Sequence, residues 1–196
     1  DLDRVQAAAL TQAATNGAAV IDARLGAARS ALDLAAAGLT TQSSRPLDAL
    51  EAARRHAPDL ALAVVSETGQ VIAAAGAPAE RFSSAAQTTP LALDPADSSA
   101  VLTRKVGDRT LIARLALAAP SAIAGQTLFV ASASERLALG SGAGLPDLDR
   151  AGLEQAARTP NDPVEARQRG RSGRLTAAEV GDTGLIVGAW RAGTGS

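Results

Sequence analysis

The feature that most restricts the fold of this chain is a helical stripe near its start. Leu10, Ala14, Gly17, Ile21, Leu25, Ala28, Leu32, Ala35 and Leu39 recur in steps of three and four. Their mean spacing is close to the 3.6 residues of an α-helical turn. Asp22, Arg29 and Asp33 fall on the opposite face, the many alanines favour helix, and Gly38 lies near a natural end. A helix over residues 1–39 extends on the order of 55 Å. Its apolar stripe must be covered, either by the chain's own core or by a second copy in a dimer seam.

Beyond the stripe the pattern turns to strands, after one more short helix. Pro46 suits the first turn of that second helix, with Ser44 as its cap, and it runs through Leu50 to about His56 before Pro58 stops it. Residues 60–76 then read LALAVVSETGQVIAAAG, two apolar runs around a turn in which Gly69 supplies the positive φ. Residues 77–99 read as loop with one short helix. A second hairpin runs VLTRKV (101–106), Gly107-Asp108, RTLIARLALA (109–118), and TLFVASA (127–133) is a further strand. Asp147 or Asp149 can cap a short helix around 148–158. Residues 159–173 are polar, and RLTAAEV (174–180) with LIVGAW (185–190) makes a last hairpin. Consecutive hairpins imply an antiparallel sheet, and helices confined to the start and to insertions make the class α+β.

Composition excludes several kinds of protein. The chain is 46% hydrophobic but only 2% aromatic, with Phe82, Phe129 and Trp190 as its aromatic residues, so small side chains must fill the core. There is no cysteine, which removes disulfides, thiolate catalysis and cysteine metal sites. A net charge of −1 argues against nucleic-acid binding. No run of about 18 apolar residues is present. The chain starts at Asp1 and contains no methionine, which reads as an excised or processed fragment from which any flanking membrane helices would have been left off.

The long helix, the short helix and the VVSETGQVIAAAG hairpin, followed by a variable segment and a central hairpin, resemble the extracytoplasmic PAS-like sensor domains called PDC or Cache. The resemblance covers roughly residues 1–135. It implies an α+β fold with the long N-terminal helix packed on an antiparallel PAS-like sheet. Residues 1–58 would hold the two helices and 59–138 the sensor core. Residues 139–196 would complete the sheet or form a small membrane-proximal subdomain. It further implies the periplasmic part of an inner-membrane receptor, above all a two-component histidine kinase, with the PleC type of polar cell-development kinase as one candidate. The catalytic part would lie outside this chain. A small ligand or a periplasmic protein partner would be sensed, without a cofactor, and a homodimer through the N-terminal helix would carry the signal.

Arg104 and Arg114 are the charges of most interest, because both fall inside the strands of the central hairpin. Leu111, Ala113, Leu115 and Leu117 share one face of the second strand, so Arg114 joins Ile112 and Ala116 on the other. In the family that this chain resembles, such a sheet backs the ligand pocket, and an arginine there can hold a carboxylate or phosphate. Arg81, in the variable segment, could close over that site. The family's ligand pockets usually carry tyrosine, tryptophan and aspartate. This chain has no tyrosine and its Trp190 lies outside the pocket strands, which points away from an amino-acid ligand and toward another small ligand or a protein-docking module.

Other motifs carry weaker chemistry. His56, the single histidine, sits at a helix end where the dipole favours it, and no G-x-S-x-G elbow accompanies it. GSGAG (140–144) continues into Leu145 and Pro146, which breaks a dinucleotide fingerprint and leaves a turn. Asp94 and Asp97 form LDPAD, a pair suited to a cation or to acid–base work, but Pro95 and the nearby serines favour turn and capping roles. Arg167, Arg169, Arg171 and Arg174 are a basic run without interleaved aromatics. Gly170 and Gly173 loosen it, and it reads as a solvated loop or a surface for an acidic partner or anionic lipid headgroups.

Overall fold

The computed structural model describes residues 2–41, 45–82, 90–117, 125–139 and 144–193. The helical stripe folds as expected. Helix α1 spans Leu2–Thr40, and Leu10, Ala14, Ile21, Leu25, Ala28, Leu32 and Ala35 are buried. The stripe is thus covered by the chain's own core. The side of α1 left to solvent carries Val5, Val20 and Leu34 among small and polar residues. Gly26 lies on that side, and a methyl group added there would meet nothing within 4 Å.

The chain divides into two compact units, one formed by Ala23–Ala116 and one by Asp1–Asp22 with Leu117–Ser196. In the first unit, α2 (Pro46–Arg54) precedes a sheet of β1 (Leu60–Val65), β2 (Val71–Ala75), β3 (Leu91–Asp94), β4 (Ser99–Val106) and β5 (Arg109–Ala116). The order is β2-β1-β5-β4-β3 and every pairing is antiparallel. Helix α2 begins at Pro46, and Arg45 takes the extended N-cap position without a side-chain cap; Ser44 lies outside the described residues. The β1–β2 turn closes through Ser66 N–H to Gln70 O (2.8 Å) and Gly69 N–H to Ser66 O (3.0 Å), with Gly69 at φ +88°.

Strand parity gives this sheet two distinct faces. Leu60, Leu62 and Val64 register with Leu115, Ala113 and Leu111, and these residues share one face. Ala63, Val65, Val101 and Ile112 lie on the other, packed with Phe82 from a single 3₁₀ turn at Ala79–Phe82.

The second unit contains β6 (Gln126–Ala131), β7 (Arg136–Ala138), α3 (Arg150–Arg158), β8 (Val164–Gln168), β9 (Arg171–Glu179) and β10 (Ile186–Ala192). Its sheet runs β7-β6-β10-β9-β8. One face packs Phe129, Leu175, Ile186 and Trp190 against Leu153 and Ala156 of α3. The other packs Leu128, Ala178 and Ala189 against Leu10 and Ala14 of α1, where Thr176 donates to the Leu10 carbonyl at 3.2 Å. Close approach replaces bulk in this core. Gly188 registers with Phe129, and a Cβ at 188 would collide with the Phe129 ring. Trp190 is buried and its Nε1–H donates to the Ala166 carbonyl at 2.9 Å. Helix α3 is capped by Asp149, whose carboxylate accepts from Gly152 N–H at 2.8 Å.

The structure departs from the sequence expectations in a few places. The stretch 77–99, which reads as loop, contains β3, and the polar stretch 159–173 contains β8. Both are edge strands with one exposed side, so neither carries a strong apolar pattern. Strand β6 pairs with β10 and not with the first sheet. The first sheet therefore ends with β5 and does not continue to residue 138, and residues 139–196 share their sheet with β6 and β7.

Candidate functional site

Arg114 points from β5 onto the Ile112 face of the first sheet, between Ala61 on β1 and Val101 on β4. A guanidinium in such a place loses most of its hydration: Arg114 is only 7% exposed. That cost demands partners, and β3 with the turn after it supplies two. Asp94 ends β3 in register with Ser99 of β4, which brings its carboxylate beside Arg114. Asp97 follows in the β3–β4 turn, where Ser98 takes a left-handed φ of +54°.

The contacts are close. One terminal nitrogen of Arg114 donates to Asp94 Oδ2 at 2.5 Å and to Asp97 Oδ1 and Oδ2 at 2.9 and 3.0 Å. Two hydrogens serve three acceptors there, so one of them is shared between the oxygens of Asp97. Asp94 Oδ1 accepts from the Ala96 backbone N–H at 3.0 Å, which ties the turn to the strand. Arg81, from the 3₁₀ turn, stands 3.5 Å from Asp97 Oδ2 and is largely exposed. Among the described residues, the buried Nε–H of Arg114 has no hydrogen-bond partner.

The electrostatics follow from these contacts. The hydrogen bond from Arg114, reinforced by the Ala96 amide, holds the Asp94 carboxyl below the usual carboxylate range despite its partial burial. Burial pulls the Arg114 pKa down, but hydrogen bonds to Asp94 and Asp97 outweigh it and the net shift is upward. Asp94 and Arg114 each therefore favour the charged form of the other. The cluster can hold a rigid charge arrangement and offer one buried N–H to an acceptor oxygen. Among the described residues, no group of three His, Cys, Asp or Glu side chains is placed to hold a metal ion.

The three arginines expected from sequence do not form one site. Arg114 and Arg81 meet around Asp97. Arg104 registers with Leu111 and so lies on the opposite face, where it forms an ion pair with Asp33 of α1. Asp94 and Asp97 read from sequence as turn residues; Asp94 does stabilise the turn, and both also hold Arg114. Their part is hidden because β3 itself is hidden in the sequence. His56 lies exposed in the turn after α2. Residues 140–143 of the glycine-rich run lie outside the described residues.

No family model matches the chain, and no curated protein matches its sequence. Solved structures do match its fold. The extracellular domain of a protein described as a histidine kinase, rpHK1S-Z16, aligns over 98% of this chain and 96% of its own length, with a TM-score of 0.67 at 16% identity. The ligand-binding domain of the Campylobacter jejuni chemoreceptor Tlp3, solved with L-norvaline, aligns over 96% and 91% with a TM-score of 0.54 at 11% identity. That of the Pseudomonas aeruginosa PAO1 amino-acid chemoreceptor PctB, solved with L-arginine, aligns over 92% of each chain with a TM-score of 0.52 at 16% identity. The chain thus has the PDC/Cache-like fold of extracellular sensor domains. No helix among the described residues is long and apolar enough to cross a membrane.

Proposed function

We propose that this chain is the periplasmic sensory domain of a membrane-bound two-component histidine kinase, and that it detects a small ligand on the Arg114 face of its first sheet. The observation that carries the ligand site is the buried Nε–H of Arg114, which has no partner among the described residues. A buried donor without a partner costs about 1–3 kcal/mol, and a ligand oxygen that accepts from it recovers that loss. The kinase assignment is supported by the alignment with a histidine kinase's extracellular domain over nearly the whole chain. Two of the similar structures hold amino acids. In this chain Ala61 and Val101 flank Arg114, Phe82 packs on the same face and tyrosine is absent, so the ligand is a compact molecule with an acceptor oxygen.

Signalling would proceed by population shift. Arg114 and Arg104 sit on opposite faces of adjacent strands, and Arg104 grips α1 through Asp33. A ligand that moves β4 and β5 thereby pulls on α1 within the same unit. In a homodimer through the outward side of α1, around Gly26 and Leu34, that pull changes helix packing. The output catalytic part would lie beyond this chain and inside the cell.

The alternative is a docking module for a periplasmic or polar scaffold protein. It is favoured by the way the chain's own Asp94 and Asp97 already occupy the outer end of Arg114. A thermal-shift screen of small carboxylates, amides and amino acids separates the two. A compound that stabilises wild type but not Arg114→Gln supports the sensor. If no compound does so, while crosslinking in the periplasm captures a protein on this face, the docking reading stands and the small-ligand reading falls.

A further inference from the structure

A second charged feature lies in the other unit and is independent of the Arg114 site. Arg174 on β9 and Arg191 on β10 are directly opposite each other in the antiparallel register. Like charges in that position repel. Both lie on the sheet face that meets α1, and Arg4 from the first turn of α1 joins them around a cavity of about 400 Å³. Among the described residues, none of the three forms an ion pair, although Glu165 flanks Arg174 in the sheet. Asp3 is the one carboxylate among the described lining residues, and with Glu165 beside Arg174 the three guanidinium groups face two carboxylates, an excess of one positive charge. Gln6 adds a polar side chain, and Leu10 adds an apolar wall.

We propose that Arg4, Arg174 and Arg191 form a binding site for a phosphate-bearing anion. Guanidinium groups are planar forks that donate in pairs to phosphate oxygens. A carboxylate has two oxygens and satisfies one fork, whereas a phosphate has enough oxygens and charge for several. The basic run noted in the sequence does not act as a unit here. Arg169 sits in the β8–β9 turn at φ +51°, and Arg174 is the member of the run that lines this cavity. The same chemistry would fit free phosphate or the headgroup of an anionic lipid.

The test uses the whole chain. Wild type, Arg174→Gln/Arg191→Gln and the exposed control Arg158→Gln are titrated calorimetrically with inorganic phosphate at low salt. The same proteins are sedimented with vesicles of phosphatidylglycerol or of phosphatidylcholine alone. Saturable phosphate binding that falls at least tenfold in the double variant, and not in the control, supports a soluble anion. Binding to phosphatidylglycerol vesicles alone, lost in the double variant, supports the headgroup. Absence of both, or an equal loss in Arg158→Gln, overturns the site. In phosphate-free buffer Arg191→Gln should melt at or above the wild-type temperature, because the repulsive cross-strand pair is gone while Arg174 keeps Glu165 beside it. A clearly lower melting temperature would make the arginines structural and overturn the proposal as well.

Discussion

Arg114 on β5 and Asp97 in the β3–β4 turn are joined by a hydrogen-bonded ion pair of 2.9 Å that pins a strained turn to the buried face of a sheet. The pair joins segments far apart in sequence but two strands apart in space. Its removal should be felt in the fold before any ligand is considered. Arg114→Met leaves Asp94 without its cation and Asp97 with only the exposed Arg81, and Asp97→Asn weakens one arm of the cluster. We expect a loss of about 2–3 kcal/mol for the first and about 1 kcal/mol for the second, measured by urea denaturation. The double variant should cost less than the sum. Strict additivity would mean that the two side chains do not interact in solution.

The acid limb of stability should carry the signature of Asp94. Its pKa in the folded protein lies below the unfolded value of about 3.9. A depressed carboxylate contributes stability that is fully present above the unfolded pKa and is lost as the pH falls through the folded one. Wild type should therefore lose stability below about pH 4 more steeply than Asp94→Asn, and the two should run parallel above about pH 6. Parallel curves throughout would show that the contact with Arg114 leaves Asp94 unperturbed.

Arg104 and Asp33 form an exposed pair, and its energetic weight is small. Arg104→Ala should cost no more than about 1 kcal/mol, and less in high salt. If this pair links the sheet to α1, the same variant bound to ligand should lose the change in amide exchange along residues 29–40 while retaining affinity. An unchanged exchange response would remove Arg104 from the signalling route.

Helix α1 offers two opposite tests. Leu25 is fully buried, so Leu25→Ala should cost about 2–5 kcal/mol through a cavity. Gly26 faces open space, so Gly26→Ala should stabilise the single chain by roughly 0.5–1 kcal/mol. Gly26→Leu should leave the single chain folded and weaken self-association, read by analytical ultracentrifugation. Unaltered association in that variant would place the dimer contact elsewhere.

Much of this architecture is readable from the residues in order. The period of the α1 stripe and the glycine turns at 69 and 107 set the helix and both early hairpins, because those signals are local. The strands β3 and β8 escape because their pattern is not local: Leu91–Asp94 is four residues long, and VEARQ alternates charge with small side chains at an edge. The site is half readable. A two-residue turn at Gly107-Asp108 pairs Val106 with Arg109, and counting back pairs Arg104 with Leu111. That count alone separates Arg104 from the Arg114 face. Asp94 and Asp97 are not recoverable in the same way, since their approach to Arg114 depends on β3 docking beside β4.

The aromatic poverty of the chain has an optical consequence. Trp190 is the sole indole and there is no tyrosine, so nearly all ultraviolet emission arises from one buried side chain in the second sheet. Fluorescence during denaturation will follow that unit and stay blind to the one holding Arg114. Far-ultraviolet dichroism will see both. A gap between the two transitions would therefore measure how independently the two units melt, with no label attached.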